Sequence, residues 1–296
     1  MVLAEPKDTA TVSQLSGDVY SFIQSAFFDG ADAEFGHPIY QAFFHHFGKK
    51  GAGVRGRLTC RTAELLHQSS HDGCCLAAAV ESLHNASLIQ DDMQDRSLMR
   101  RGQSSVASSF GEAVALGLTD RLITTAFACI APLSKPNKLP ALLRRLNMAV
   151  AQTVDGQTSE LCWPPEDVAL AARLQAATRK SGPLFALSLE LPLILADQEE
   201  WVEVAHQAAC QFGLGYQILD DIKDRFADAQ AGASGNLVLA MELKGSSNAA
   251  VTEAVRLVED CLLGALAQAK RLPFGAGSPL VEMVEKLWPQ VHALSP

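Results

Sequence analysis

Apolar residues recur at helical spacing along most of this chain, whereas strand-like alternation of apolar and polar residues is scarce. Between residues 12 and 28, for example, Leu15, Val19 and Phe22 lie three or four positions apart, and Asp29-Gly30 ends the run, which is typical of an amphipathic helix. Further helices are predicted at residues 38–47, 58–68, 73–90, 111–130, 140–162, 165–179, 183–195, 199–219, 249–270 and 279–292. The pattern therefore predicts an all-α fold, a single-domain helical bundle.

Two of these helices, 73–90 and 199–219, are apolar nearly all round. Such helices are typical of the centre of a bundle, where other helices surround them. Residues 1–12 are polar and mixed, so we expect a flexible N-terminal arm followed by one domain at 13–296.

Composition narrows the class of protein. The chain has 296 residues, of which 48% are hydrophobic, and a net charge of −9, so we expect a sizeable core and no nucleic-acid partner. Seven cysteines lie mostly in apolar helical stretches and lack zinc-binding spacing, which indicates reduced core residues of a cytoplasmic protein. No export signal and no transmembrane segment are predicted.

Three carboxylates follow the first central helix, in Asp91-Asp92-Met-Gln-Asp95, and an arginine pair, Arg100-Arg101, lies shortly after them. On a helix, Asp91 and Asp95 share one face. The cluster is either a solvated helix end or a site where Mg²⁺ bridges carboxylates to a phosphate that arginines also bind.

The second central helix is followed by the same arrangement, Asp220-Asp221-Ile-Lys-Asp224. Two such motifs, each after a buried-looking run, favour the site over the solvated helix end. In a bundle, facing helices would bring the two motifs to one mouth.

Other polar positions are ambiguous when taken one at a time. The loop Gly51–Arg57 is either an anion site or a flexible surface loop, and Lys180-Ser181-Gly182, placed at a helix break, is either a phosphate site or a helix cap. Gly156-Gln157 with Glu160 suggests core hydrogen bonding, and His84 is either a core residue or part of the aspartate face. The adjacent His45-His46 would point apart on a helix and is not expected to hold a metal.

Taken together, these motifs resemble the trans-isoprenyl diphosphate synthase (polyprenyl synthetase) family. The resemblance covers residues 50–230 and rests on the two aspartate motifs, on Arg100-Arg101-Gly102, on Gly156-Gln157, on Lys180-Ser181-Gly182 and on Gln217. It implies the isoprenoid synthase fold, an all-α bundle around a central apolar cavity, and a homodimer. It also implies a Mg²⁺-dependent transferase that joins an allylic diphosphate to isopentenyl diphosphate.

The resemblance also implies roles for individual residues. Three Mg²⁺ ions would be held by Asp91, Asp95 and Asp220, with Asp92, Asp221 and Asp224 in support. Arg100 and Lys180, together with Ser181 and Gln217, would contact the allylic diphosphate. Gly53, Arg57, His84 and Arg101 would hold the diphosphate of isopentenyl diphosphate.

Two departures from the family pattern leave the activity open. The family's basic loop reads G-K-x-x-R, and Val54 stands at its lysine; the lysine after the second motif also lacks a clear match, with Arg225 or Lys244 as substitutes. A class I terpene cyclase, which ionises one prenyl diphosphate, is therefore the alternative to a synthase. A silent subunit is a third hypothesis, which the two intact aspartate motifs disfavour.

Product length is predicted from the helix before Asp91. In the family, the cavity floor lies about five residues before the first aspartate, here Ala86, and small residues continue at Ser82, Ala79 and Ala78. No aromatic side chain would block a growing chain there. The expected product is therefore an all-trans prenyl diphosphate of C20 (geranylgeranyl) or longer.

Overall fold

The computed structural model describes residues 8–30, 36–49, 51–162, 168–231, 235–243 and 245–294, with side chains from residue 18 onward. The α-helices in these ranges are α1 (Asp8–Phe28), α2 (Pro38–Gly48), α3 (Val54–Leu65), α4 (Ser70–Gln94), α5 (Val106–Phe110), α6 (Glu112–Cys129), α7 (Leu139–Cys162), α8 (Leu170–Leu195), α9 (Val202–Ala231), α10 (Leu237–Glu242), α11 (Ser247–Ala269) and α12 (Ser278–His292). One hairpin joins β1 (Met99–Arg100) to β2 (Gln103–Ser104), and short 3-10 helices lie at Pro136–Lys138, Glu199–Trp201 and Pro273–Gly275.

The described residues form two compact units, which divide between Leu143 and Arg144. Helices dominate both units, so the predicted all-α class is confirmed. The single domain at 13–296 stays a prediction. Of the predicted arm, residues 1–7 lie outside the described residues, and α1 already begins at Asp8.

In the first unit, α4 is the central helix. Every residue from 72 to 83 is buried, and α4 packs against α1, α3 and α6. This burial confirms the expectation drawn from the apolar character of the run. Helix α2 packs against α1 through aromatic rings, with the ring centroids of Phe27 and Phe43 4.3 Å apart and those of Tyr20 and Phe47 5.6 Å apart.

In the second unit, α8 is one continuous helix, so the predicted break at Lys180-Ser181-Gly182 is wrong. Pro183 lies inside the helix and is buried. A proline there removes one backbone hydrogen bond and usually kinks a helix, but close packing against α9 compensates. A Cβ atom on Gly213 would lie 3.1 Å from the Cα atom of Gly182, and burial of the apolar half of α8 outweighs the lost bond.

Several predicted boundaries also move. Helix α3 begins at Val54 rather than Leu58, because Gly53 adopts the left-handed conformation (φ 55°) at its N-terminus. Helices α4 and α9 continue past Gln90 and Leu219, so both aspartate motifs are largely helical. Helix α8 begins at Leu170, and residues 163–167 lie outside the described residues. The β1–β2 hairpin, α5 and α10 were not predicted, because they are too short for a periodic pattern.

Candidate active site

The first aspartate motif lies at the C-terminal end of α4. Asp91 and Asp92 are helical and Asp95 caps the helix, with the Asp95 N–H donating to the Asp91 carbonyl oxygen at 2.8 Å. The predicted i, i+4 spacing of Asp91 and Asp95 is therefore confirmed. Asp92 differs from these two because it is buried, with 1% of its surface exposed.

Arg100 pairs with this buried carboxylate. Its Nε atom donates to both Asp92 oxygens, at 3.0 and 3.2 Å, and its Nη2 atom also bonds Oδ1. Burial acts to lower the pKa of Arg100, but the hydrogen bonds and charge of Asp92 raise it above its ordinary value. Arg100 thus relieves part of the repulsion between the three carboxylates. Asp91 and Asp95 are less buried than Asp92, so they are the carboxylates best suited to a metal.

The segment Arg100-Arg101-Gly102 forms the turn of the β1–β2 hairpin. Met99 pairs with Ser104 and Arg100 with Gln103, leaving Arg101 (φ 53°) and Gly102 (φ 72°) as the two turn residues. Two successive positive φ angles define a type I′ turn, which favours glycine at its second position. The hairpin separates the two arginines, because Arg100 lies on a strand and Arg101 in the turn.

The side chain of Arg101 is held by Asn85, which sequence reasoning missed. Its Nη2 atom lies 3.4 Å from Asn85 Oδ1, and Nη1 donates to the Lys49 carbonyl at 3.3 Å. Asn85 Oδ1 also accepts from His46 Nε2 at 2.9 Å, while Asn85 Nδ2 donates to the Glu81 carbonyl oxygen at 2.8 Å. Burial lowers the pKa of His46 to about 4, so this histidine is a neutral donor.

Glu81 is a second residue that sequence reasoning missed. It is buried, and one of its carboxylate oxygens accepts the Gly56 N–H at 2.7 Å. Nearby, Arg57 donates to the Ala52 carbonyl oxygen. Glu81 and Asn85 are polar residues that follow the apolar run 74–80 on the same helix, a signal that could have identified both.

These residues line a cleft of ≈ 670 Å³, counted with its open mouth. Gly53, Gly56, Arg57 and Arg101 contribute its glycine-rich and basic side, and residues of α1 and α2 contribute an apolar wall. The first unit thus brings three of the residues predicted to hold isopentenyl diphosphate, Gly53, Arg57 and Arg101, to one cleft.

His84, the fourth of these predicted residues, has another partner. Its Nε2 atom lies 3.2 Å from Arg55 Nη1. Burial, followed by the charge of Arg55, holds the pKa of His84 well below its usual value. The side chains of His45 and His46 diverge, since His45 Nε2 lies 2.8 Å from the Ser104 carbonyl oxygen and His46 Nε2 lies 2.9 Å from Asn85 Oδ1.

The second aspartate motif lies on α9, and its middle residue is the most enclosed. Asp221 is buried and accepts from Gln217 Nε2 and from the Leu237 N–H, both at 2.8 Å. Gln217 in turn accepts from the Ser181 hydroxyl at 3.2 Å. Burial raises the pKa of Asp221 to about 6 despite these bonds. Asn236, which caps α10, donates to the Asp221 carbonyl oxygen at 2.8 Å.

Asp220 and Asp224 are more accessible than Asp221. Asp224 is exposed, and Asp220 lies 3.6 Å from the ammonium of Lys223. Burial raises the pKa of Asp220, which the charge of Lys223 partly offsets. Arg225, one substitute for the family's late lysine, pairs with Glu242 at 3.5 Å. Lys244, the other substitute, lies outside the described residues.

Lys180 lies inside α8 and pairs with Glu160 of α7, with 2.9 Å between Nζ and Oε2. Gly156, one turn earlier on α7, permits this approach, because a Cβ atom there would lie 2.5 Å from the Lys180 backbone nitrogen. The glycine of Gly156-Gln157 therefore serves helix packing, and Gln157 is buried beside it.

Both aspartate motifs offer oxygen donors that suit Mg²⁺. Among the described residues, no group of three or more His, Cys, Asp or Glu side chains is arranged to hold a metal ion. Mg²⁺ usually binds one or two carboxylates together with substrate phosphates and waters, rather than an all-protein cage. Asp91 with Asp95, and Asp220 on α9, fit that pattern of coordination.

The residues below the first motif are small and buried. Ala86 is 2% exposed, and Ser82, Ala79 and Ala78 are fully buried.

All seven cysteines are free, and five of them are buried, as expected for core residues; Cys162 is exposed and Cys261 is half-buried.

Solved structures with the same arrangement of helices define the fold. A decaprenyl diphosphate synthase from Rhodobacter capsulatus superposes with a TM-score of 0.78 at 19% identity, covering 98% of this chain and 100% of that one. The isoprenoid synthase fold predicted from the sequence is therefore confirmed.

The family follows from the sequence itself. The family model described as polyprenyl synthetase matches residues 37–235. A short chain isoprenyl diphosphate synthase from Methanocaldococcus jannaschii is 30% identical over 64% of this chain and 58% of its own length. A geranylgeranyl diphosphate synthase from Pantoea ananas is 33% identical over 60% of this chain and 62% of its own length.

The chain belongs to the polyprenyl synthetase family. It spans about three fifths of the length of these two curated relatives. Among the described residues, no helix has both the length and the apolar character needed to cross a membrane.

Proposed function

We propose that this protein is a Mg²⁺-dependent prenyltransferase that joins an allylic diphosphate to isopentenyl diphosphate. The observation that carries the proposal is the end of α4, where Asp91 and Asp95 lie one helical turn apart and Arg100 pairs with buried Asp92. Membership of the polyprenyl synthetase family supports the same reaction.

In this proposal, Asp91, Asp95 and Asp220 hold the magnesium ions. When bound, Mg²⁺ would stabilise the negative charge that develops on the leaving diphosphate. Lys180 contributes positive charge from α8, and its ion pair with Glu160 holds it in place before substrate binds. Asp221 shapes this half of the site through Gln217, while exposed Asp224 is accessible to solvent and substrate.

Arg57 and Arg101 bind the diphosphate of isopentenyl diphosphate, with Gly53 and His84 beside them. Both arginines donate to backbone carbonyl oxygens. Because a diphosphate oxygen is a stronger acceptor than a carbonyl, we expect these side chains to turn to the substrate.

Asn85 is expected to position Arg101 for that contact. Replacing Asn85 with Leu removes the acceptor shared by Arg101 and His46, so KM for isopentenyl diphosphate should rise about tenfold. The turnover number should change little, because Asn85 does not face the allylic diphosphate in this proposal. Steady-state kinetics with each substrate varied in turn test this.

The control is Asn248→Leu, which makes the same change at an exposed position on α11. Equal KM values for the two variants would show that Asn85 does not position Arg101.

We also propose a product of C20 or longer, because small buried residues lie at Ala86 and in the two turns before it. The named relatives include short chain, geranylgeranyl and decaprenyl synthases, so length has to be measured. Ala86→Phe should shorten the main product by at least one isoprene unit, as seen by chromatography of the dephosphorylated products. An Ala86→Ser control should keep the wild-type product, and unchanged length in the Phe variant would contradict the assignment of the floor.

A homodimer in the cytoplasm is part of the proposal. Leu143, Val154 and Leu161 lie on one face of α7 and are 40–49% exposed, which suits a surface covered by a second copy. Seven free cysteines suit a reducing compartment. Light scattering of the purified protein measures the oligomeric state directly.

A terpene cyclase is the second candidate, and Val54 favours it, because a cyclase needs no second diphosphate site. One experiment separates the candidates: purified protein is incubated with Mg²⁺, farnesyl diphosphate and labelled isopentenyl diphosphate. Longer labelled diphosphates support the synthase and unlabelled hydrocarbon supports the cyclase. Absence of any turnover would leave only a silent subunit.

A further inference from the structure

The glycine-rich loop lacks the lysine that polyprenyl synthetases carry in their basic loop. Val54 occupies that position as the first residue of α3, directly after Gly53. An apolar side chain there cannot bind an anion. If the proposed reaction is correct, the positive charge has to come from another residue.

Arg55 is the next residue of the loop, and its guanidinium lies against a residue of the predicted site. Its Nη1 atom is 3.2 Å from His84 Nε2. Arginine can only donate hydrogen bonds, so His84 Nε2 is the acceptor and the proton of the neutral ring lies on Nδ1. The contact therefore places the positive charge of Arg55 beside the histidine predicted to hold the diphosphate.

The named charged residues around the loop are mostly positive. Arg55, Arg57 and Arg101 contribute three guanidinium groups within the first unit, whereas Glu81 is the buried carboxylate that binds the loop, through the Gly56 N–H. Glu81 also attracts Arg101 electrostatically. Arg57 and Arg101 line the cleft, and Arg55 and Arg101 both act electrostatically on His84. Guanidinium groups bind diphosphate oxygens well, so this part of the first unit favours an anion.

We propose that Arg55 binds the diphosphate of the homoallylic substrate and replaces the missing loop lysine at Val54. This inference rests on the proposed function and assigns a further binding residue within it. It differs from a purely structural role, in which Arg55 would only hold the ring of His84.

A lysine placed at position 54 of a variant that lacks Arg55 separates the binding role of Arg55 from the structural one. Arg55→Met should raise KM for isopentenyl diphosphate about 10- to 100-fold, as expected for loss of a charge-assisted contact. KM for the allylic substrate should stay the same. The double variant Val54→Lys/Arg55→Met should recover most of the loss, because the lysine restores the charge but cannot restore the bond to His84.

Arg61→Met is the matched control, since Arg61 is exposed on the same helix. Direct calorimetric titration with isopentenyl diphosphate needs no turnover, so it tests the inference separately from the reaction. Arg55→Gln provides a second variant if the Met variant folds poorly, as judged by thermal melting.

The proposal is overturned if Arg55→Met and Arg61→Met bind isopentenyl diphosphate equally well, or if Val54→Lys fails to recover binding. Wild-type protein that binds isopentenyl diphosphate but forms no longer product would contradict the proposed function while leaving the assignment of Arg55 intact. Wild-type protein that does not bind it would overturn both.

Discussion

Asp91→Asn is expected to lower kcat by roughly 10³-fold while leaving the fold intact, because removal of one ligand costs several kcal/mol of transition-state stabilisation by the metal. The substitution keeps the shape of the side chain and removes its charge. Asp92 already has Arg100 as its partner, so it cannot replace Asp91 without breaking that pair. The measurement is the steady-state rate of labelled product formation at saturating substrate.

The variant should also need a higher Mg²⁺ concentration, since the proposed metal site would lose one anionic ligand. Asp260→Asn is the control, because Asp260 is an exposed acid on α11 that pairs with Arg256. Circular dichroism should show equal helix content in both variants. Activity of Asp91→Asn close to that of wild type would contradict a metal-binding role for the first aspartate motif.

Glu190→Gln should give the largest loss of stability. Glu190 is 1% exposed, receives a two-pronged ion pair from Arg145 and lies 2.8 Å from His206 Nδ1. Removing its charge leaves the guanidinium of Arg145, which is only 14% exposed, without its counter-ion, and such a loss costs about 3–5 kcal/mol. Urea denaturation followed by circular dichroism measures the change in the free energy of unfolding.

The matched control is Glu253→Gln, which breaks an exposed ion pair with Arg256 on α11 and should leave the urea midpoint unchanged. Replacing the buried pair together, as Arg145→Met/Glu190→Met, should recover much of the loss because no charge remains unpaired. A Glu190→Gln variant as stable as the Glu253→Gln control would contradict the importance of the pair.

The group formed by Glu190, Arg145 and His206 predicts a pH dependence of stability. Hydrogen bonds with Cys210 and Glu190 raise the pKa of His206 to about 10, above its ordinary value of 6.5. The folded protein therefore binds this proton more tightly, so its contribution is complete below pH 6.5 and is lost as pH rises towards 10. The free energy of unfolding should therefore fall less steeply between pH 6.5 and 10 in Glu190→Gln than in wild type.

Much of the fold follows from local pattern. The helical spacing predicted most of the long helices, and the long apolar run before Asp91 predicted the buried central helix α4, because burial on all sides requires apolar residues on all sides. The continuous α8 could not be predicted, since Pro183 locally favours a break. Its helix persists because Gly182 and Gly213 let α8 and α9 approach closely.

The family, the two aspartate motifs and the spacing of Asp91 and Asp95 follow from the sequence, because short-range helical geometry fixes which residues share a face. The partners of the arginines became known from the folded chain: Asp92 for Arg100, Asn85 for Arg101 and His84 for Arg55. These contacts join residues on different elements, 8 to 29 positions apart, and many side chains could satisfy an arginine equally well. Packing selects among them, which local pattern cannot do.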